Sequence, residues 1–303
     1  MFSTLTTING YNPIKALFLK EFWDNKRAIL ITPMVITGLI LFLLPIALFS
    51  ESGIMINGAS WNEHLSHADN LENKIMFPAM VPSAIIAISF IFSMIFTSLS
   101  VLFDERKNKS ILFWKSMPIS DTQEVLIKLA TVIVVTPIIA ICFAFIIQLY
   151  TILVLGLFVT AFSDYSAWEI VFSNINFLAI ITIDLVPTFV MILWTLPIFT
   201  WFMLVSSFSR RSPFLLAFII PILTIVIEKI FFDGSLILHA ITSRFSYLEN
   251  YIDRFDLDGG GNIIEGITSL LGSFGEPSFW VGIAFAAAMI AGCIQLRKRN
   301  SIT

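Results

Sequence analysis

Residues able to do chemistry are sparse in this sequence and fall in four places. Asp184 stands in an apolar run, a few turns from its end. A charge at mid-bilayer costs about 2.5–3.5 kcal/mol on insertion scales, so this carboxylate must face the protein interior, water or a partner. It reads as a substrate-path or proton-linked group, or as a structural hydrogen-bonding group near Pro187. Glu63, His64, His67 and Asp69 offer two imidazoles and two carboxylates, a donor set that zinc accepts; a solvated loop is the simpler reading. Asp256, Asp258, Gly259 and Glu265 match positions of a calcium loop, but Arg254 stands where the first ligand belongs and would repel the ion. Gly259–Gly261 reads more simply as a flexible turn. The fourth place is the charged stretch Asp104-Glu105-Arg106-Lys107-Asn108-Lys109, which runs into Ser110-Ile111-Leu112-Phe113-Trp114-Lys115-Ser116-Met117-Pro118. An aqueous loop needs charges but has no reason to carry Ile-Leu-Phe-Trp. Apolar anchors inside a basic segment suit a docking surface for a soluble partner, with Arg106, Lys107 and Lys109 steering it. Trp114 seated at a membrane interface is the alternative.

Several chemistries are excluded. Lys109-Ser110 and Lys115-Ser116 end like a phosphate-binding loop but lack the preceding glycines whose amides cradle phosphate. Three histidines do not assemble with a serine and an aspartate into a nucleophile site. Cys142 and Cys293 lie in apolar runs, so no disulfide framework organises the chain. The expectation is a chain that is not an enzyme, holds no cofactor or metal of its own, and has membrane lipid rather than nucleic acid around it.

The elements that must position these residues are membrane spans. Of 303 residues 57% are hydrophobic and only 13% charged, with 30 Phe and a mean hydropathy of +0.90; no soluble core hides that much apolar surface. Apolar runs predict six spans at 28–49, 78–103, 125–162, 177–205, 213–231 and 279–296. They make one all-α domain over 1–303, with an outer loop at 232–278 and no internal repeat. Lys15, Lys20, Lys26, Arg27, Arg106, Lys107, Lys109, Lys115, Lys128, Arg210, Arg211, Arg297, Lys298 and Arg299 are 14 of the 18 basic residues and all fall on one side. The positive-inside rule makes that side cytoplasmic and, with an even number of spans, places both termini there.

Local patterns refine the plan. Ile14, Leu17, Phe18 and Phe22 share a helical face, with Lys15, Lys20 and Glu21 available for a polar one, which predicts an interfacial helix within 1–27. The third span is too long for a bilayer, so it either projects into the cytoplasm or bends near Pro137. Ser120 with Gln123, and Asp121 with Glu124, both fit a capping box at its start. Ala284, Ala288 and Gly292 form a small-residue row suited to close packing.

The string Glu105-Arg106-Lys107…Ser110-Ile111-Leu112-Phe113-Trp114-Lys115-Ser116-Met117-Pro118-Ile119-Ser120-Asp121 resembles the cytoplasmic loop of bacterial ABC-2-type transporter permeases. Lys20-Glu21-Phe22-Trp23-Asp24-Asn25-Lys26-Arg27 is similar to their interfacial helix. The resemblance implies a permease subunit of an ATP-driven exporter in the bacterial inner membrane, with ATP and Mg bound by separate ATP-binding cassette subunits. It implies a second permease copy, as a homodimer or a heterodimer. It makes 104–122 a coupling loop in which Glu105, Arg106, Lys107, Ser110, Phe113, Trp114, Ser116 and Pro118 meet the ATPase. It also implies a re-entrant outer segment, which 263–274 suits. A stand-alone secondary carrier using Asp184 is the alternative. The scarcity of charge in the spans slightly favours an amphipathic or lipid-like cargo over a small ion.

Overall fold

The computed structural model describes residues 13–49, 71–108, 119–162, 166–173, 177–245 and 263–299. Among them are helices and turns but no strand. Six helices are long and apolar enough to cross a membrane: Arg27–Ala47, Val81–Lys107, Asp121–Ala161, Ile180–Phe208, Pro213–Phe232 and Pro277–Arg299. The chain is a polytopic helical membrane protein, as its apolar runs require.

In finer detail, α1 is Pro13–Asp24 and α2 Thr32–Phe49, α3 is Leu71–Ser100, and a one-turn α4, Phe103–Lys107, continues the second span. The third span is α5, Asp121–Ala130, followed by α6, Thr136–Phe162. Then come α7 (Phe177–Phe208), α8 (Pro213–Phe232), the short α9 (Leu236–Thr242), α10 (Ile263–Gly272) and α11 (Pro277–Arg299).

The same dipeptide interrupts two spans in the same way. Thr32-Pro33 and Thr136-Pro137 each follow a five-residue π-helical turn, Arg27–Ile31 and Thr131–Val135. A proline inside an α-helix has no N–H to donate and its ring crowds the carbonyl four residues back. The chain answers by widening one turn: the Thr32 N–H reaches Arg27 O and the Thr136 N–H reaches Thr131 O. Each threonine hydroxyl also donates to that same carbonyl, at 2.9 Å in both cases. The long third span is therefore continuous over Asp121–Ala161, with its register change directly ahead of Pro137 and a polar extension, α5, below it. Ser120 caps that extension: its hydroxyl accepts from the Gln123 N–H at 3.2 Å, and the Gln123 side chain accepts from the Ser120 N–H at 3.0 Å.

The fourth span is the axis of the bundle. In its most apolar window 56% is buried, against 11% for the fifth, so α8 lies at the periphery and most of its surface faces outward. Met94 of α3, Val132 and Phe199 with Phe202 of α7 form one core cluster; Val190 and Trp194 of α7, Leu270 of α10 and Phe279 of α11 form another.

Packing corrects one expectation and locates another. In α1 the buried face is Leu17 and Glu21, while Lys15 is exposed, so Glu21 belongs to the inward face and not the polar one. In α11 the inward row is Phe279, Gly282, Ala286, Cys293 and Arg297, whereas Ala284 and Ala288 are exposed. Only Gly292 of the expected small-residue row makes a close approach, to Leu204. The reason is that α11 turns toward α7 along the Gly282–Cys293 line, about 100° per residue fixing every other position.

Past α8 the chain reverses through Asp233 in a left-handed conformation (φ 45°). The Glu228 carboxylate accepts from the N–H groups of Leu236 at 2.6 Å and Ile237 at 2.9 Å, which satisfies two orphan donors at the start of α9. Further on, α10 packs its Leu270 beside Trp194 and passes through the turn Ser273–Gly275 straight into α11.

Candidate functional site

One end of the bundle holds a buried ion network that the spacing of the charges alone does not announce. Glu105 is its centre: its Oε1 accepts from Lys128 Nζ at 2.8 Å and from Lys20 Nζ, and its Oε2 accepts from Arg297 Nη1 at 3.0 Å. Lys128 also reaches Glu21 at 2.7 Å and the Val101 carbonyl at 3.2 Å. Arg297 closes the other side, on Asp121 at 3.1 Å and on Glu124. Lys128 is wholly buried, and Glu21, Glu105, Glu124 and Arg297 are each at most 5% exposed.

Four carboxylates (Glu21, Glu105, Asp121, Glu124) thus enclose three cations (Lys20, Lys128, Arg297) contributed by α1, α4, α5 and α11. Burial opposes the charge on Lys20, but the Glu21 and Glu105 carboxylates outweigh it and hold its ammonium above the usual lysine range. Buried charges persist only when paired and hydrogen-bonded, so these four elements are held in one relative arrangement.

A second clamp lies beside the first. Between α3 and α4 the Ser206 hydroxyl of α7 accepts from the N–H groups of Leu102 at 3.2 Å and Phe103 at 2.9 Å. Arg106 then donates to the carbonyls of Ser206 and Ser209, the latter at 2.8 Å. Cations near the end of a helix favour its orphan carbonyls, and here the cation belongs to a different helix. A cleft of about 450 Å³ opens onto the ion network at Lys20, Glu21, Glu105 and Lys128, with Asp24, Asn25, Asp104 and Asn108 on its walls.

The predicted coupling residues divide accordingly. Glu105 and Arg106 are turned into the bundle, Lys107 is exposed, and Ser110, Phe113, Trp114, Ser116 and Pro118 lie outside the described residues. Both flanks of that segment are anchored: Glu105 and Arg106 before it, Asp121 and Glu124 after it. The network members Glu21, Lys128 and Arg297 were not singled out from sequence. A signal existed for one of them, since Glu21 falls on the apolar spacing of Ile14, Leu17 and Phe18 in α1.

Asp184 is joined to the third span by Gln148, which also reaches the second. The Gln148 amide of α6 donates to Asp184 Oδ1 at 3.1 Å and to Ser83 of α3 at 3.2 Å. Asp184 Oδ2 and Gln148 Oε1 are buried without a hydrogen-bond partner. Counted along α7, Asp184 stands 25 residues from Ser209, about 37 Å at 1.5 Å per residue, so it sits toward the end opposite the ion network. Glu63, His64, His67, Asp69, Arg254, Asp256, Asp258 and Gly259 lie outside the described residues. Among the described residues no group of three or more His, Cys, Asp and Glu is arranged to hold a metal.

No family model, curated protein or solved structure matches the chain.

Proposed function

We propose that this chain is the permease subunit of an ATP-driven ABC transporter of the ABC-2 type, an exporter that works as a dimer with separate ATP-binding subunits. The observation that carries the reading is the anchoring of both flanks of the 109–118 segment. Glu105 ties the near flank to α1, α5 and α11, Arg106 ties it to α7, and Asp121 with Glu124 tie the far flank to α11. A displacement of the segment by a soluble subunit is then delivered to several spans at once, which is what coupling ATP hydrolysis to an opening of the bundle requires. The segregation of Lys and Arg supports a cytoplasmic position for the network end. The packing of α10 beside the fourth span, with its direct turn into α11, supports a re-entrant outer segment.

The test is Trp114→Ala in the complete transporter. Aromatic anchors at interfaces commonly contribute 2 kcal/mol or more, roughly thirtyfold in affinity. The variant should insert normally but retain the ATP-binding subunit poorly on copurification, or hydrolyse ATP without transport. Unchanged copurification and coupling in Trp114→Ala would sink the reading.

A second reading, a secondary carrier that couples ions at Asp184, is favoured by one observation. A carboxylate joined to a neighbouring span through Gln148 has a buried oxygen with no donor.

A further inference from the structure

A guanidinium is buried at the end of the bundle away from the ion network, with no carboxylate in salt-bridge reach among the described residues. Arg244 follows α9, and its side chain enters a notch between α7 and α11. It is 7% exposed. Nη2 donates to the Ser278 carbonyl at 2.8 Å, Nε donates to the Ala240 carbonyl at 3.3 Å, and the guanidinium carbon stands 5.6 Å from the centre of the Trp194 ring. Nη1 is buried with no hydrogen-bond partner.

The notch is shaped for this group. A Cβ on Gly282 would meet Nη1 at 2.1 Å and the guanidinium carbon at 2.8 Å, so only glycine leaves the space. Trp194 is itself fixed, with its indole N–H donating to Ser273 at 3.0 Å and its ring packed on Phe279 at 5.6 Å. Depth follows from helix rise. Gly282 is 15 residues from Arg297 and Pro197, which also lines the notch, is 12 from Ser209. These separations are about 22 Å and 18 Å at 1.5 Å per residue, and Ser278, which accepts from Nη2, is 19 residues or about 28 Å from Arg297, so the guanidinium lies toward the far edge of a hydrocarbon layer of about 30 Å, where lipid phosphates begin.

A buried arginine with one unpartnered N–H group, and only carbonyl acceptors among the described residues, is complementary to an anion. Guanidinium binds phosphate through two parallel N–H···O bonds, and the membrane surrounds this notch with phosphate-bearing molecules. The alternative acceptor, a second carbonyl, is already used at Ser278 and Ala240. We propose that Arg244 is the anchor of a phosphate-binding site between α7, α9 and α11, and that its ligand is the phosphate of a phospholipid or lipid-like molecule. In the unliganded arrangement the guanidinium rests on Trp194 with Nη1 closed against Gly282, so an incoming phosphate engages Nη1 as the guanidinium swings off the notch. The site requires only the six-span bundle and stands apart from the transport reading.

The experiment uses the full chain in micelles of an uncharged maltoside detergent, with thermal unfolding followed while lipid is titrated. Phosphatidylglycerol should raise the wild-type midpoint saturably, and diacylglycerol of the same acyl chains should not. Arg244→Gln should need about tenfold more phosphatidylglycerol for the same shift, the loss of one charge-assisted pair. Arg244→Lys keeps the charge without the planar fork and should fall between the two, which keeps the comparison readable if the glutamine variant does not fold. Inorganic phosphate separates the sources: a midpoint shift with phosphate alone assigns the site to free phosphate and overturns the lipid ligand, and no shift supports the lipid headgroup. An equal response of wild type and Arg244→Lys to phosphatidylglycerol, or an equal response of the wild type to diacylglycerol, overturns the proposal.

Discussion

Replacing Glu105 by glutamine should be among the most damaging isosteric changes available to this chain. The carboxylate serves Lys20, Lys128 and Arg297 together, at 2.8 Å and 3.0 Å for the latter two. Removing one partner of a buried ion pair typically costs 3–5 kcal/mol, because the charges left behind cannot regain water. Each of the three cations keeps another carboxylate, however: Glu21 for both lysines, Asp121 and Glu124 for Arg297. The loss is therefore placed at the lower end, about 3 kcal/mol, with the glutamine NH₂ turned toward cations it cannot pair with. The assay is unfolding in mixed micelles as the denaturing detergent fraction is raised, on Glu105→Gln, Lys128→Met and the double variant. Partners in one network couple by about 0.5–3 kcal/mol, so the double variant should be more stable than the sum of the two singles predicts. A Glu105→Gln effect below about 0.5 kcal/mol, or strict additivity, would show that the network is solvated and refute its role as a clamp.

Two further outcomes are expected. Gly282→Ala places a methyl 2.1 Å from Arg244 Nη1 and should expel the guanidinium at a cost of about 1–3 kcal/mol; Arg244→Ala in the same chain should recover most of that loss, and a Gly282→Ala variant as stable as wild type would remove the notch as a feature. Asp184→Asn keeps the oxygen that accepts from Gln148 and removes an unpaired charge, so assembly and detergent stability should hold to within about 1 kcal/mol; a loss above about 2 kcal/mol would mean that the carboxylate has a cationic partner.

Much of the plan was legible because it follows from one-dimensional quantities. Apolar run length marks a span whatever the span touches, and the six predicted runs match the six long helices to within several residues at their ends. Capping is equally local: Ser120 and Gln123 need only each other's backbone to form their box. The widened turns before Pro33 and Pro137 are also a response of the chain within a few residues, but run length drew attention to Pro137 alone.

Partner choice was not legible, since it depends on which helix faces meet. Glu124 fits the capping pattern after Asp121 but joins Asp121 on Arg297, 173 residues further along the chain. Arg106 looks from sequence like one of several loop cations, yet Ser206 of α7 and Ser209 just past its end take it up. Glycine at 282 is one small residue in a helix that contains several, and only the arrival of Arg244 distinguishes it from Ala284 or Ala288. By itself the sequence determined that the chain carries six segments long and apolar enough to span a membrane, which loops gather its positive charge, and where the capped third span starts. The free energy of moving each segment from water to hydrocarbon is a property of that segment alone. Only the tertiary structure decided which charges neutralise one another and which, like Arg244, have no carboxylate in salt-bridge reach among the described residues. Pairing is set by distances between side chains on different helices, and helix rotation fixes those distances only when the bundle packs.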